Sequence, residues 1–157
     1  SELVREKLGF YVDSVTKVFE QYPDVVRSVD IFNELLNRHP VAGDVPYTLR
    51  SDFPQEKDAK GNYDDNTQAG WLKHLSLDDL CGVLAIARHN LPNVDFMYND
   101  DFLTDPKKME ATLGLIKELQ DYAKGNGVKL IDSIGTQMHI DNNVSKEQIR
   151  NIKRLNI

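Results

Sequence analysis

The chain alternates segments of helical periodicity with short apolar runs that are bounded by turn residues. Helical patterns cover residues 2–22, 76–91, 104–125 and 145–155, whereas runs of strand-forming residues lie at 25–32, 94–98 and 130–137. Each run follows a helix and is followed by polar residues. This order predicts an α/β fold in which parallel strands are joined by right-handed helical crossovers.

Two of the predicted helices begin at recognisable capping residues. Ser76 is followed three residues later by Asp79, and Ser145 by Gln148. In this pattern the serine hydroxyl and the later side chain bond each other's backbone N–H groups at the start of a helix. We find no repeat and no internal boundary, so residues 1–157 are expected to form one domain.

Composition and charge exclude several classes of function. The chain has 157 residues and a net charge of −6, with a pI near 5.2. Nucleic acid is therefore not expected as a partner, because phosphate binding needs a basic face. No apolar stretch approaches the length of a membrane span. The absence of a signal peptide at the start is compatible with a cytosolic protein or with a trimmed piece of a secreted one.

No cofactor or metal site is predicted. The only cysteine, Cys81, excludes an internal disulfide and a cysteine-rich metal site, and its apolar neighbours predict a buried thiol. The glycine pair at 125 and 127 follows a helix rather than a strand, which is the wrong context for a phosphate-binding loop.

Polar side chains follow each of the three predicted strands. They are Asn33 and Glu34, then Asn99 and Asp100, then Gln137 and His139. The carboxyl ends of parallel strands meet at one edge of a sheet, where ligands bind. Side chains two apart on a strand point the same way, so Gln137 and His139 would both reach the site if the strand continued to residue 139. A carboxylate among amides and a histidine, without metal-ligand spacing, is typical of a sugar-hydrolase pocket.

Structural interpretations of these residues stay open. On pattern alone, Asn and Glu at a strand end, as at Asn33 and Glu34, are more often a turn or a helix cap than a catalytic pair. A lone histidine after a strand, as at His139, is usually structural. Asp100, Asp101 and Asp105 fit turns and caps, and we interpret the other three histidines, at 39, 74 and 89, as surface or structural residues. The irregular stretch 35–69 predicts a long functional or mobile loop, and Trp71 beyond it fits either core packing or stacking on a ligand.

Three blocks resemble glycoside hydrolase family 10, the retaining endo-β-1,4-xylanases. Residues 29–34, Val-Asp-Ile-Phe-Asn-Glu, are similar to the family's W-D-V-V-N-E. Residues 96–100, Phe-Met-Tyr-Asn-Asp, resemble its strand ending in Asn-Asp. Residues 131–139, Ile-Asp-Ser-Ile-Gly-Thr-Gln-Met-His, resemble I-D-G-I-G-x-Q-x-H. One departure is Asp101, which stands where the family usually has an aromatic residue.

The resemblance implies part of a (β/α)8 TIM barrel, from about strand four to helix six. It implies that Glu34 is the general acid/base and that Asn33 binds the 2-hydroxyl of the cleaved sugar. Gln137 and His139 would hydrogen-bond the two catalytic carboxylates. The expected substrate is xylan or a xylo-oligosaccharide, no cofactor is implied, and the family suggests an extracellular or periplasmic location.

The family's nucleophile ends strand seven, which would begin just after Ile157. The chain is therefore expected to be a segment whose nucleophile and remaining strands come from its parent chain or from another chain. The alternative is a non-catalytic half-barrel that binds β-linked polysaccharide or nothing. Half a barrel would expose two sheet edges, which predicts marginal stability or aggregation for the isolated segment.

Overall fold

The computed structural model describes residues 2–37, Leu49, 74–139 and 144–154. In these residues the chain order is α1 (Glu2–Glu20), β1 (Ser28–Asn33), α2 (Leu77–Asn90), β2 (Asp95–Asp100), α3 (Pro106–Asn126), β3 (Ser133–Thr136) and α4 (Lys146–Arg154). The predicted alternation of helices and strands is confirmed. The predicted long loop, together with His39 and Trp71, falls almost wholly outside the described residues.

The three strands form a parallel sheet in the order β1-β2-β3, so neighbours in the chain are neighbours in the sheet. Asn33 pairs with Asn99, and Asp100 pairs with Thr136. The carboxyl ends of all three strands therefore lie side by side at one edge, as predicted.

Helices cover one face of this sheet. Along β2 the side chains of Phe96, Tyr98 and Asp100 are buried, whereas Met97 and Asn99 between them are half-buried. The alternation follows from the two-residue period of a strand. We call the buried side the helix face and the opposite side the inner face, which in a closed barrel would line the interior.

Within the described residues, the predicted helix boundaries agree with the observed ones to within two residues. Ser76 caps α2 with both capping-box hydrogen bonds, and Ser145 and Gln148 make the reciprocal pair before α4. Helix α3 starts at Pro106 and is capped at its carboxyl end by Gly127, whose φ of 69° is the left-handed conformation that glycine adopts without strain.

The apolar stripe of α2 is buried as expected, and Cys81 is fully buried within it. Burial raises the pKa of this thiol to about 11, with Asp78 adding to the shift. The thiol therefore stays protonated and inert near neutral pH. His74 and His89 are exposed, which agrees with a surface role.

Apolar residues recur at three- and four-residue steps in α1 and α3 and predict a buried face on each helix, but the prediction is wrong for part of each face. Tyr11, Val18 and Tyr22 are 63%, 52% and 55% exposed, because α1 packs mainly on the single neighbouring helix α2. Leu113 of α3, also predicted to be buried, is 38% exposed. The strand predicted at 130–137 is shorter and spans Ser133–Thr136.

Arg88 of α2 ties the amino ends of β2 and β3 together. Its Nη2 lies 2.5 Å from Asp132 Oδ2, while Nη1 and Nε each donate over 2.8 Å to the carbonyls of Val94 and Lys129. The guanidinium also stacks 3.8 Å from the centre of the Phe96 ring. One planar fork thus fixes two strands and a helix.

Asp132 is the acidic partner in this cluster. Desolvation raises its pKa, but the Phe96 backbone N–H, Lys129 and Arg88 together outweigh that effect and hold the pKa at about 2. The carboxylate is 17% exposed, so it contributes to stability over most of the pH range.

Among the described helices, none is long and apolar enough to cross a membrane. In the same part of the chain, no group of three or more His, Cys, Asp or Glu side chains is placed to hold a metal ion.

Candidate active site

Glu34 is the first residue beyond β1, and its backbone turns out of the strand. Its φ is 53°, which is a left-handed conformation that costs a non-glycine residue about 1–2 kcal/mol. The Glu34 N–H nevertheless continues the sheet ladder by donating to the Asn99 carbonyl over 2.8 Å. The half-buried side chain is thereby placed at the strand edge.

Gln137 holds the Glu34 carboxylate from the neighbouring end of β3. Its Nε2 donates to Glu34 Oε1 over 2.6 Å and lies 3.3 Å from Asn33 Oδ1. The backbone N–H of Gln137 donates in turn to the Asp100 carbonyl over 3.1 Å. The amide is therefore fixed at both its backbone and its side chain.

Asn33 joins the same network on the inner face. Its Oδ1 accepts from Asn99 Nδ2 over 3.1 Å, and the same amide nitrogen lies 3.3 Å from Asp30 Oδ2. Asp30 and Asn33 are three residues apart, whereas a regular strand would turn them to opposite faces.

A β-bulge explains this arrangement. Asp30 pairs with Met97 and Phe32 with Tyr98, so Ile31 is an extra residue between them. The extra residue shifts the alternation by one and brings Asn33 to the side that Asp30 occupies. Bulges often re-aim a side chain next to a functional site in this way.

His139 completes a chain of hydrogen bonds that leads to Glu34. Its Nε2 lies 2.8 Å from Gln137 Oε1. The Gln137 amide nitrogen faces the Glu34 carboxylate, so the Gln137 amide oxygen faces His139 and must accept a hydrogen bond from it. The His139 proton is therefore assigned to Nε2. The chain runs from His139 through Gln137 to Glu34. The imidazole is exposed and lies with its centre 6.3 Å from the Phe102 ring.

The structure brings the side chains of Gln137 and His139 together, although the strand does not continue to residue 139. The strand stops at Thr136, and Met138 takes a φ of 51°. In a continued strand, side chains two residues apart would point the same way. Here the left-handed turn at Met138 brings the His139 side chain back to Gln137 instead. Phe102, just beyond β2, has a similar φ of 52°, so each strand is followed by a non-glycine residue in this conformation.

Gly135 allows the inner face to pack closely. A Cβ at this position would lie 2.5 Å from Met97 Sδ and 2.9 Å from Asn99 Oδ1. Real Cβ contacts do not come this close, so only glycine leaves the Asn99 amide in its present place. The glycine in the third sequence block therefore has a steric role beside the candidate site.

Asp100 is not part of this network, contrary to the sequence-based grouping with Asn99. Its side chain points to the helix face, where Oδ1 lies 2.8 Å from Lys108 Nζ. Lys108 also pairs with Asp101, and the Tyr98 hydroxyl donates to Asp100 Oδ2. Asp101 lies at the bend that follows β2, and both carboxylates bind Lys108.

This second group of side chains is buried throughout. Tyr98, Asp100, Asp101 and Lys108 are each 0% exposed. Burial raises the pKa of Asp100, and Lys108 opposes the shift. Burial and the neighbouring Asp100 raise the pKa of Tyr98 far above its usual value. The phenol therefore remains a hydrogen-bond donor at any working pH.

Sequence reasoning missed three residues near the edge. Asp30 and Gly135 lie inside the blocks that resemble the family, but nothing in the sequence pattern marked either residue as part of the site. Lys108 lies in an amphipathic helix, where a lysine is normally solvent-exposed. A signal was present for Lys108, because Asp100 and Asp101 shortly precede the helix and their nearest cationic neighbours in the sequence are Lys107 and Lys108.

Comparisons with known proteins relate this chain to one family. The model of glycosyl hydrolase family 10 matches residues 4–156. Xylanase XynB from Paenibacillus barcinonensis is 25% identical, with a TM-score of 0.65 over 99% of this chain and 38% of that chain. An endo-1,4-beta-xylanase from Caldicellulosiruptor owensensis is 26% identical, with a TM-score of 0.63 over 99% of this chain and 39% of that chain.

A mutant of an intracellular xylanase from Thermoanaerobacterium saccharolyticum, solved with xylotriose, matches with 22% identity and a TM-score of 0.63, over 99% of this chain and 40% of that one. These structures are TIM barrels, which confirms the predicted fold as part of such a barrel. The chain spans about two fifths of the length of these solved xylanases. No curated protein sequence matches it significantly.

Proposed function

The chain belongs to glycosyl hydrolase family 10, and from this premise we propose that it is a segment of a retaining endo-1,4-β-xylanase. In this proposal Glu34 is the general acid/base. One observation carries the proposal: the Glu34 carboxylate is held 2.6 Å from Gln137 Nε2, beside Asn33, at the carboxyl edge of three parallel strands. That edge is where TIM-barrel enzymes place their catalytic groups.

The proposed reaction uses Glu34 twice. Its carboxyl protonates the glycosidic oxygen as the bond to the leaving sugar breaks, and the resulting carboxylate later takes a proton from the attacking water. Both transfers require the carboxyl to face the glycosidic oxygen, and the hydrogen bond from Gln137 sets that direction.

The neighbouring amides have separate roles in the proposal. Asn33 is exposed, and its amide binds the 2-hydroxyl of the sugar being cleaved, where contacts strengthen in the oxocarbenium-like transition state. His139 fixes Gln137 through a 2.8 Å hydrogen bond, so it orients Glu34 indirectly. In the proposal, His139 and Gln137 also hydrogen-bond the second catalytic carboxylate.

A retaining mechanism needs that second carboxylate about 5–5.5 Å from the first, as the nucleophile. We assign the nucleophile and the remaining barrel strands to other parts of the parent protein or to another chain. The xylan substrate is supported by the family and by the similarity to solved xylanases. An extracellular or periplasmic location stays a prediction.

The test uses the full-length protein that contains this chain, with Glu34→Gln as the informative variant. Glu118→Gln is the matched control, because Glu118 is an exposed residue of α3. We expect Glu34→Gln to slow xylan hydrolysis by about 10²–10⁴-fold, since the acid/base is lost, and Glu118→Gln to leave it unchanged. Product anomers followed by NMR should show retention of configuration.

Binding separates this proposal from the non-catalytic alternative. A xylo-oligosaccharide should bind to Glu34→Gln with nearly the affinity of the wild type in calorimetric titration. Binding by a wild-type protein that never cleaves xylan would support a polysaccharide-binding module instead. Full hydrolysis by Glu34→Gln would overturn the assignment of the acid/base.

A further inference from the structure

The Tyr98 hydroxyl donates its one hydrogen to Asp100, so toward other groups it can act only as a hydrogen-bond acceptor. A phenol has one hydrogen to donate, and Tyr98 donates it to Asp100 Oδ2. Its oxygen then accepts hydrogen bonds from the backbone N–H groups of Leu35 and Leu36. These two residues are 1% and 3% exposed, so water is not an easy substitute partner for their N–H groups.

The direction of the Tyr98 hydrogen is itself fixed. Asp100 Oδ1 is bound by Lys108 Nζ at 2.8 Å and by the Asp101 N–H at 2.8 Å. Because Oδ1 is occupied by two donors, Oδ2 is the oxygen that meets the phenol. All four side chains are fully buried, and solvent therefore cannot exchange these partners.

Glu34 lies between two backbone anchors. On its amino side, its own N–H is bound to the Asn99 carbonyl over 2.8 Å. On its carboxyl side, the next two N–H groups are bound to the Tyr98 oxygen. The φ of 53° at Glu34 is unfavourable by itself, and a strained conformation persists only where its surroundings over-determine it.

We propose that Tyr98 is a positioning residue for Glu34: from the helix face, its hydroxyl holds the Leu35–Leu36 backbone and so fixes the acid/base carboxyl on the inner face. The inference rests on the proposed function of Glu34. Asp100 and Lys108 act one step further away, by orienting the phenol.

The consequence is specific to proton transfer. When the anchor is lost, the Glu34 backbone relaxes and its carboxyl moves relative to the glycosidic oxygen. A displacement of about 1 Å can cost on the order of 10²-fold in rate. The loss affects only leaving groups that need a proton. A dinitrophenolate leaves as a stable anion and needs no general acid.

The experiment compares two substrates with Tyr98→Phe in the full-length protein. The leaving group of xylotetraose is a sugar alkoxide, which needs a proton. The leaving group of 2,4-dinitrophenyl xylobioside is dinitrophenolate, which does not. We expect kcat/KM for xylotetraose to fall about 10- to 100-fold and kcat/KM for the aryl glycoside to change by less than about threefold. The ratio kcat/KM reports on the glycosylation step, in which Glu34 acts as the acid.

Leu91→Ala is the control for general destabilisation. Leu91 is 4% exposed and packs in the cluster at the amino ends of the strands. This variant should lower the melting temperature while both substrates keep their activity ratio. If Tyr98→Phe does not fold, Asp100→Asn tests the same anchor and should shift the ratio in the same direction.

Equal losses on both substrates, or no loss on either, would overturn the inference about Tyr98. Failure of the proposed function itself has a different signature. In that case Glu34→Gln would also show no dependence on the leaving group.

Discussion

Asn99 and Asp100 are adjacent in β2, yet they belong to two polar networks of opposite character. Asn99 faces inward, where its amide reaches Asn33 and Asp30 over 3.1 and 3.3 Å beside exposed side chains. Asp100 faces the helices, where Lys108 and Tyr98 bind it with no exposed surface. One step along a strand separates a solvated site from a sealed one.

The difference between the two networks shows that the two faces of the sheet have separate roles at this edge. In the sealed network, donors and acceptors satisfy each other, so removing one partner leaves a buried charge or N–H unsatisfied. On the inner face the groups have access to solvent, so they can exchange water for the hydroxyls of a ligand. The helix face therefore supplies rigidity, and under the proposed function the inner face supplies the chemistry.

The largest expected effect is the loss of stability when Lys108, in the sealed network, is replaced. Lys108→Met should lower the free energy of unfolding by about 3–5 kcal/mol, because two buried carboxylates lose their counter-charge. Lys117→Met is the matched control on the same helix, since Lys117 pairs with Asp121 at the surface and is 75% exposed. The control should leave the stability nearly unchanged, because an ion pair in solvent contributes little. Urea denaturation of the full-length protein measures both, and equal losses would contradict the assignment of a sealed network.

Asp132 is an intermediate case, because its ion pair with Arg88 is only partly exposed. Its pKa is lowered from 3.8 to about 2 in the folded chain. A lowered pKa stabilises the fold above the unfolded value, and this stabilisation is lost as pH falls from about 4 to 2. The full contribution is roughly 2 kcal/mol.

Asp132→Asn tests this pH dependence. The difference in unfolding free energy between wild type and variant, from denaturant titrations at several pH values, should be constant above pH 4 and shrink toward pH 2. A difference that grows as the pH falls would show that the sign is wrong.

Gly135→Ala tests the close packing of the inner face. The new Cβ would meet Met97 Sδ at 2.5 Å and Asn99 Oδ1 at 2.9 Å. Met97 can move because the contact is near the end of a flexible side chain, so we expect a loss of about 1 kcal/mol. Gly114→Ala is the control, since nothing lies within 4 Å of a Cβ there. It should be neutral or stabilising in thermal unfolding, because alanine favours a helix.

The smallest effect on folding is expected at Asn33. Its side chain is exposed, so Asn33→Ala should change the free energy of unfolding by less than about 0.5 kcal/mol. Under the proposed function the same variant should still reduce xylan cleavage. A large loss of stability in denaturant titration would place Asn33 in the structural network rather than in the site.

Much of the fold could be predicted because the spacing of apolar residues along the chain identifies the helices and strands. The α2 stripe and the capping pairs are local patterns, and local patterns determine helices. The grouping of Asn33, Glu34, Gln137 and His139 followed from the rule that parallel strands end at one edge. These predictions depend on neither side-chain contacts nor the missing part of the barrel.

The remaining features depend on contacts that no local pattern contains. The bulge at Ile31 changes the face of Asn33, but its neighbours fit a regular strand equally well. The burial of Lys108 depends on a pairing with β2 across the helix face. Likewise, the exposure of Tyr11 reflects which helices lie beside α1, and amphipathicity alone does not specify its neighbours.

The left-handed backbone at Glu34 has a consequence for the evolution of this protein. At a φ of 53°, glycine or asparagine would be more stable than glutamate, because their steric penalty there is smaller. A lineage that no longer used the carboxylate would gain fold stability by accepting either replacement. Under the proposed function, selection for the chemistry of the carboxylate would keep glutamate at position 34, and drift at this position would be an early sign that a descendant has lost that activity.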